Sequence, residues 1–178
     1  IMQYEVALCD VKPVNPETTV VGFVFGGKDG EENAKYGTFA GYDYNSKSWV
    51  IGNFGWENGC TDIFASAPYE WTLPNTDESA GALVPATWHR LTLKIEGKKA
   101  SLYVDGALAV ETEKDCITVP ANSEDPKFNK LAPILYNCGK AIVDNIKFTT
   151  DLTFNIEKNT GNVDLADYNI STTDRPFL

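Results

Sequence analysis

The chain has 178 residues and a formal net charge of −10 at pH 7. That is enough for one domain with its own core. It is too acidic for a nucleic-acid or anionic-membrane ligand, since both want basic patches. Aromatic residues make up 12% and glycines number 14, a balance that suits a loop-rich all-β protein.

No apolar run approaches the roughly 20 residues a membrane helix needs, and no signal peptide is visible. The opening Ile1-Met2-Gln3-Tyr4 is already in strand pattern. This predicts a module of a longer chain, with export encoded elsewhere. Tyr4 to Val11 reads as a strand with both parities rather apolar, as in a strand covered on two sides. Pro13 and Pro16 break it. Thr18 to Phe25 is a second strand, and Gly26 to Asn33 a polar loop. Lys35 to Tyr44 is a third strand, with Tyr36, Thr38, Ala40, Tyr42 and Tyr44 on one face. Asn45-Ser46-Lys47 turns the chain into a fourth, Ser48 to Phe54. Gly55-Trp56-Glu57-Asn58-Gly59 is a turn carrying a large aromatic residue. Ile63-Phe64-Ala65 forms a short strand, Pro68-Tyr69-Glu70-Trp71 brings two more aromatics, and Asn75 to Pro85 is a loop.

Trp88 to Glu111 is the clearest stretch. Leu91, Leu93 and Ile95 alternate with polar residues, the mark of a half-buried strand. Gly97-Lys98 and Asp105-Gly106 are hairpin turns, and Ala100, Leu102, Val104, Leu108 and Val110 continue the apolar face. Such an antiparallel meander must cover its apolar face, usually with a second sheet. Ala132 to Cys138 and Lys140 to Thr149 make the last hairpin, turning at Cys138-Gly139. Leu152 to Glu157 is one more short strand, and Asn159 onward is tail. No segment keeps helical periodicity over three turns.

The pattern W-H-R-L-x-L-x-I-x-G followed by x-L-Y-V-D-G at Trp88 to Gly106, with Ala141 to Phe148 as a closing strand, resembles laminin-G-like, concanavalin A-like jelly rolls. The superfamily includes lectins, polysaccharide-binding modules, adhesion modules and some glucanases. The resemblance implies a two-sheet antiparallel sandwich over residues 1–158, with 159–178 as a tail or linker.

Glycoside hydrolysis needs two carboxylates about 5 to 10 Å apart, and glucanases of this fold present them as E-x-D-x-x-E, which is absent. Glu111 and Glu113 read as a solvated edge. His89 is the single histidine, so it would have to serve any Ser-His-Asp arrangement; a hydrogen-bonded strand histidine is the better reading.

Sugar binding needs flat rings for stacking, with planar polar groups for the hydroxyls. The loop and strand-end residues Trp56, Trp71, Tyr42, Tyr44 and Tyr69 supply rings, and Asn53 and Asp43 supply polar groups. Trp88 is expected in the packing.

Asp144 shares parity with Ile142, Ile146 and Phe148, and a carboxylate facing a core must be paired, hydrogen-bonded or metal-bound. Jelly rolls of this type often carry a structural calcium, to which Asp10 or Asp144 would contribute. The cysteines Cys9, Cys60, Cys116 and Cys138 lack zinc spacing and allow three disulfide pairings.

The expectation is a non-catalytic carbohydrate-binding module of a secreted, bacterial, multi-modular protein. It would meet polysaccharide and other modules of its parent chain, without nucleic acid, membrane insertion or a required cofactor. The alternatives are a laminin-G-type adhesion module and a glycoside hydrolase with an unrecognised site.

Overall fold

The computed structural model describes residues 1–11, 16–26, 37–55, 59–75, 79, 81–113, 115 and 131–148. The ten strands are β1 (Met2–Val11), β2 (Val20–Phe25), β3 (Thr38–Asp43), β4 (Ser48–Gly55), β5 (Gly59–Pro68), β6 (Trp88–Glu96), β7 (Lys99–Val104), β8 (Ala107–Glu111), β9 (Leu131–Tyr136) and β10 (Cys138–Phe148). They form two five-stranded sheets, in the orders β10-β1-β6-β7-β8 and β5-β4-β3-β2-β9. Every neighbouring pair is antiparallel. The all-β, two-sheet sandwich expected from the alternation is therefore the observed architecture.

The alternation in the sequence fills the layer between the sheets. Met2, Tyr4, Val6 and Leu8 of β1 join Leu91 and Leu93 of β6, together with Ala100 and Leu102 of β7. From the other sheet come Val21, Phe23 and Phe25, with Ala40 and Ile51. Each large aliphatic or aromatic side chain so buried contributes about 1.5 to 3 kcal/mol. Tyr4 has a polar end that must be satisfied. Its hydroxyl donates to Gly22 O in the facing sheet at 2.7 Å, and burial pushes its pKa well up.

Gly22 stands directly opposite Gly41, and the two backbones approach too closely for side chains. A Cβ at Gly41 would lie 2.2 Å from Val21 O.

The outer faces are closed as well, as the two apolar parities of β1 lead one to expect. On the β1-containing sheet, Gln3, Glu5, Ala7 and Thr92 are buried. Thr92 donates to Gln3 there, and Arg90 Nε donates to Glu5 at 3.0 Å. On the second sheet, Val20, Phe39, Val50 and Phe54 form a separate buried cluster. The tip of the β4–β5 hairpin helps close it. Phe54 N donates to Gly37 O, and Gly59 comes up against Thr18.

Several elements differ from the sequence reading. β5 runs ten residues rather than three. Ile51 pairs with Ala65 but Asn53 pairs with Thr61, so extra residues are inserted on β5, with Asp62 at φ 46. The bulge destroys the period-2 signal and leaves Ile63 and Phe64 exposed. In β10, Gln3 pairs with Lys147 but Glu5 with Asp144, around Asn145 at φ 52. That irregularity breaks the parity linking Asp144 to Ile146 and Phe148. Ile146 and Phe148 are exposed, and Asp144 is only partly buried. Asp144 is not a core carboxylate.

The last two strands do not form the expected hairpin: β9 pairs with β2 and β10 with β1 in the other sheet, and the chain passes between the sheets at Asn137, which sits at φ 51. Cys9, Cys60 and Cys138 are free thiols, and burial pushes both Cys60 and Cys138 up to about 12. Cys116, the strand expected at Leu152 to Glu157 and the tail at 159–178 lie outside the described residues.

Two measurements check this packing. Gly41→Ala should destabilise the protein by about 1 to 3 kcal/mol in urea unfolding, because backbone would have to move; an unchanged midpoint would refute the close approach. Burial alone would raise the Glu5 carboxyl, but hydrogen bonds from Arg90 and Asn145 and the charges of Arg90 and Lys147 leave it lowered. Its folded pKa thus lies below its unfolded one. The pair contributes stability above the ordinary carboxylate range and loses it as pH falls through the folded value. Unfolding midpoints taken at neutral and acidic pH should converge in Glu5→Gln relative to the wild type.

Candidate functional site

One end of the sandwich is built from aromatic residues. Strand alternation aims Tyr42 of β3 and Trp49 of β4 inward, and the chain leaving β5 adds Tyr69 and Trp71. Tyr42 and Trp49 meet edge-on with ring centroids 5.2 Å apart, and Tyr42 and Trp71 at 5.3 Å. Tyr44 and Tyr69 flank Tyr42 at 6.5 and 6.1 Å. These edge-to-face arrangements suit the aromatic quadrupole and add about 0.5 to 1.5 kcal/mol per pair beyond area burial.

Backbone hydrogen bonds hold this end together. Tyr69 N donates to Lys47 O at 2.8 Å. The Tyr42 hydroxyl donates to Tyr69 O and accepts from Trp71 N, each at 3.2 Å. The β3–β4 turn is shaped by Asp43, whose carboxylate accepts from Asn45 N and Ser46 N at 3.3 Å. Lys47 reaches Glu70 at 2.7 Å in solvent, which raises the lysine and lowers the glutamate pKa.

His89 of β6 closes the cluster from the opposite sheet. Its ring stands edge-on to Trp71, Tyr69 and Trp49 at 4.7, 5.2 and 5.6 Å. Asp105, in the β7–β8 turn, contacts His89 Nδ1 through Oδ2 at 2.6 Å. Its Oδ1 accepts from Arg90 N at 2.8 Å. His89 Nε2 meets the Tyr69 hydroxyl at 2.8 Å. Burial, then the Asp105 charge, raises the Tyr69 pKa. The chain Asp105–His89–Tyr69 thus runs from a partly exposed turn to a half-buried ring. The expected hydrogen-bonded strand histidine is what stands at position 89.

The nominated residues sort as follows. Trp71 is 3% exposed and Tyr42 1%, so neither can offer a face to a sugar; both are core. Asp43 is buried and spent on its turn. Tyr44 and Tyr69 are half-buried, and each flanks Tyr42 as an outer member of the cluster. Asn53 is at the far end of β4, pairing with Thr38 while Trp49 pairs with Tyr42. It donates to Asp62. Trp56 lies outside the described residues.

Asp10 pairs with Lys140 and Asp144 with Glu5, roughly 15 Å apart along the strands at strand rise, so one ion cannot take both. Each accepts from the next residue's N–H. Among the described residues, no three His, Cys, Asp or Glu side chains gather as a metal site.

The part of the site missed in sequence is Asp105. The register puts Val104 opposite Leu91 and hence Asp105 next to Arg90, to whose carbonyl its N–H donates. Alternation would aim Asp105 away from His89, and Asp105 leaves strand geometry at φ 52.

No protein-family model and no curated protein matches the sequence. Among solved structures, the carbohydrate-binding module CBM66 from Bacillus subtilis aligns over 82% of this chain and 72% of its own, with a TM-score of 0.48 and 15% identity. No residue role is carried over at that similarity.

The burial of Trp71 has a direct check. Trp71→Ala should cost about 3 to 5 kcal/mol in urea unfolding, and Tyr44→Ala clearly less. Equal small losses would mean that Trp71 is not core.

Proposed function

We propose that this chain is a non-catalytic carbohydrate-binding module, and that the aromatic end of the sandwich is its recognition surface. The observation that carries this reading is the placement of Tyr44 and Tyr69. They are the half-buried outer rings of a rigid cluster, beside the solvent-facing Lys47–Glu70 pair and the partly exposed Asp105. Stacking surface and planar polar groups are what a pyranose requires, and here they are held in place before a ligand arrives, which reduces the ordering cost of binding. The closed centres of both outer sheet faces also direct recognition toward an end.

Binding by stacking and hydrogen bonds needs no cofactor. One small site implies micromolar to millimolar affinity, on the order of −4 to −8 kcal/mol. In this reading the chain is one module of a secreted protein with others on the same polypeptide.

A second reading, an adhesion module that binds protein, is favoured by one observation: Ile63 and Phe64 stand exposed on the edge strand β5.

Affinity gel electrophoresis with soluble polysaccharides separates the two. Tyr44→Ala and Tyr69→Ala should each weaken retention by about threefold to tenfold, with Phe64→Ser unchanged. Retention insensitive to both tyrosines would reject this surface.

A further inference from the structure

We propose that Asp105, acting through His89, makes the Tyr69 hydroxyl an acceptor toward ligand, so that the site takes neutral or amino polysaccharides and excludes uronate-bearing ones. This rests on the carbohydrate-binding reading and names its ligand class. Asp105 is a positioning residue in this scheme.

A carboxylate has no proton to give, so the 2.6 Å contact between Asp105 Oδ2 and His89 Nδ1 requires the proton on Nδ1. A ring that holds that one proton has only a lone pair at Nε2. Across the 2.8 Å contact, Tyr69 must therefore be the donor. Its single proton is spent inside the protein, and its oxygen has only lone pairs left for a ligand.

The charges around it agree. Asp105 is partly exposed, with its side chain at 32%, and the exposed Lys47 and Glu70 pair at 2.7 Å and cancel, so the net formal charge of these three groups is that of the Asp105 carboxylate. The whole chain carries −10. Acceptors and negative charge favour a partner that brings hydroxyl or ammonium donors, and repel carboxylates.

Asp105→Asn reverses this with little disturbance to the fold. Asp105 sits at φ 52, followed by Gly106 at φ 81, and Asn-Gly is the favoured pair in such a hairpin turn. Arg90 N needs an acceptor, now Oδ1 at 2.8 Å. The asparagine oxygen therefore stays there and its amide N–H₂ faces His89 Nδ1. The ring must then carry its proton on Nε2 and donate to Tyr69, whose own proton becomes available to a ligand.

The chain has one histidine, so its ¹⁵N spectrum reads the tautomer without ambiguity. At pH 7 the wild type should show Nδ1–H and Asp105→Asn should show Nε2–H. Calorimetric titration with glucose, glucosamine and galacturonic acid hexasaccharides follows. The wild type should prefer the first two, and Asp105→Asn should improve galacturonate binding relative to glucose by about threefold to tenfold.

A wild type that carries a proton on Nε2, as the other neutral tautomer or as imidazolium, overturns the proposal. So does galacturonate bound as tightly as the neutral sugar, although that result leaves carbohydrate binding intact. If the tautomers are as expected but none of the three sugars binds, the carbohydrate reading fails and takes the ligand class with it. Wild-type preference that persists unchanged in Asp105→Asn refutes the role of Asp105.

Discussion

A histidine set into the inner layer of a sandwich must find partners for both ring nitrogens, because a buried polar group without one costs about 1 to 3 kcal/mol. His89 meets that demand with Asp105 on one side and Tyr69 on the other. The two partners come from different places in the chain: the turn between β7 and β8, and the segment after β5. Satisfying one imidazole therefore ties the two sheets together at one end and fixes the orientation of the ring that faces outward. Trp49 and Trp71 pack on the same imidazole. Aromatic packing and the polar chain support each other.

The rest of the fold explains why this end matters. The centres of both sheets are buried on both sides, by apolar side chains on one outer face and by Gln3, Glu5 and Thr92 on the other. A polysaccharide has no open sheet face to lie across at these positions. The β3–β4 turn and the segment after β5 project instead, braced by Lys47 O and the Tyr42 hydroxyl. Rigid strands thus hold Tyr44 and Tyr69 where solvent can reach them.

Much of the fold was readable in the sequence. The meander from Trp88 to Glu111 is largely legible, with both turns in place, because Gly97, Asp105 and Gly106 all adopt positive φ and Leu91, Leu93, Ala100 and Leu102 alternate inward. A register shift between Leu102 and Tyr103 interrupts the pattern, and Leu108, expected on the apolar face, is exposed. What failed were the irregular places. The β5 bulge and the irregularity at Asn145 add residues that period-2 counting cannot detect, so β5 looked too short and Asp144 too buried. The site was half readable. That a tyrosine and tryptophan cluster lay near residues 42 to 71 was evident, but which rings were core was not. Tyr42 and Tyr44 share parity, and only the packing of Trp71 and the chain after β5 over Tyr42 separates them. Its place in the strand pattern identifies His89 as a hydrogen-bonded strand residue, while Asp105-Gly106 in sequence marks only a turn.

On the proposed reading, ligand meets the aromatic end. The most direct measurement is amide chemical-shift mapping during titration with a soluble oligosaccharide that the protein retains. The account expects the perturbations to gather at Tyr44 to Lys47, Tyr69 to Trp71 and Asp105 to Gly106. Perturbations centred instead on Gln3 to Glu5 and Arg90 to Lys94, or on the bulge at Ile63 and Phe64, would contradict it.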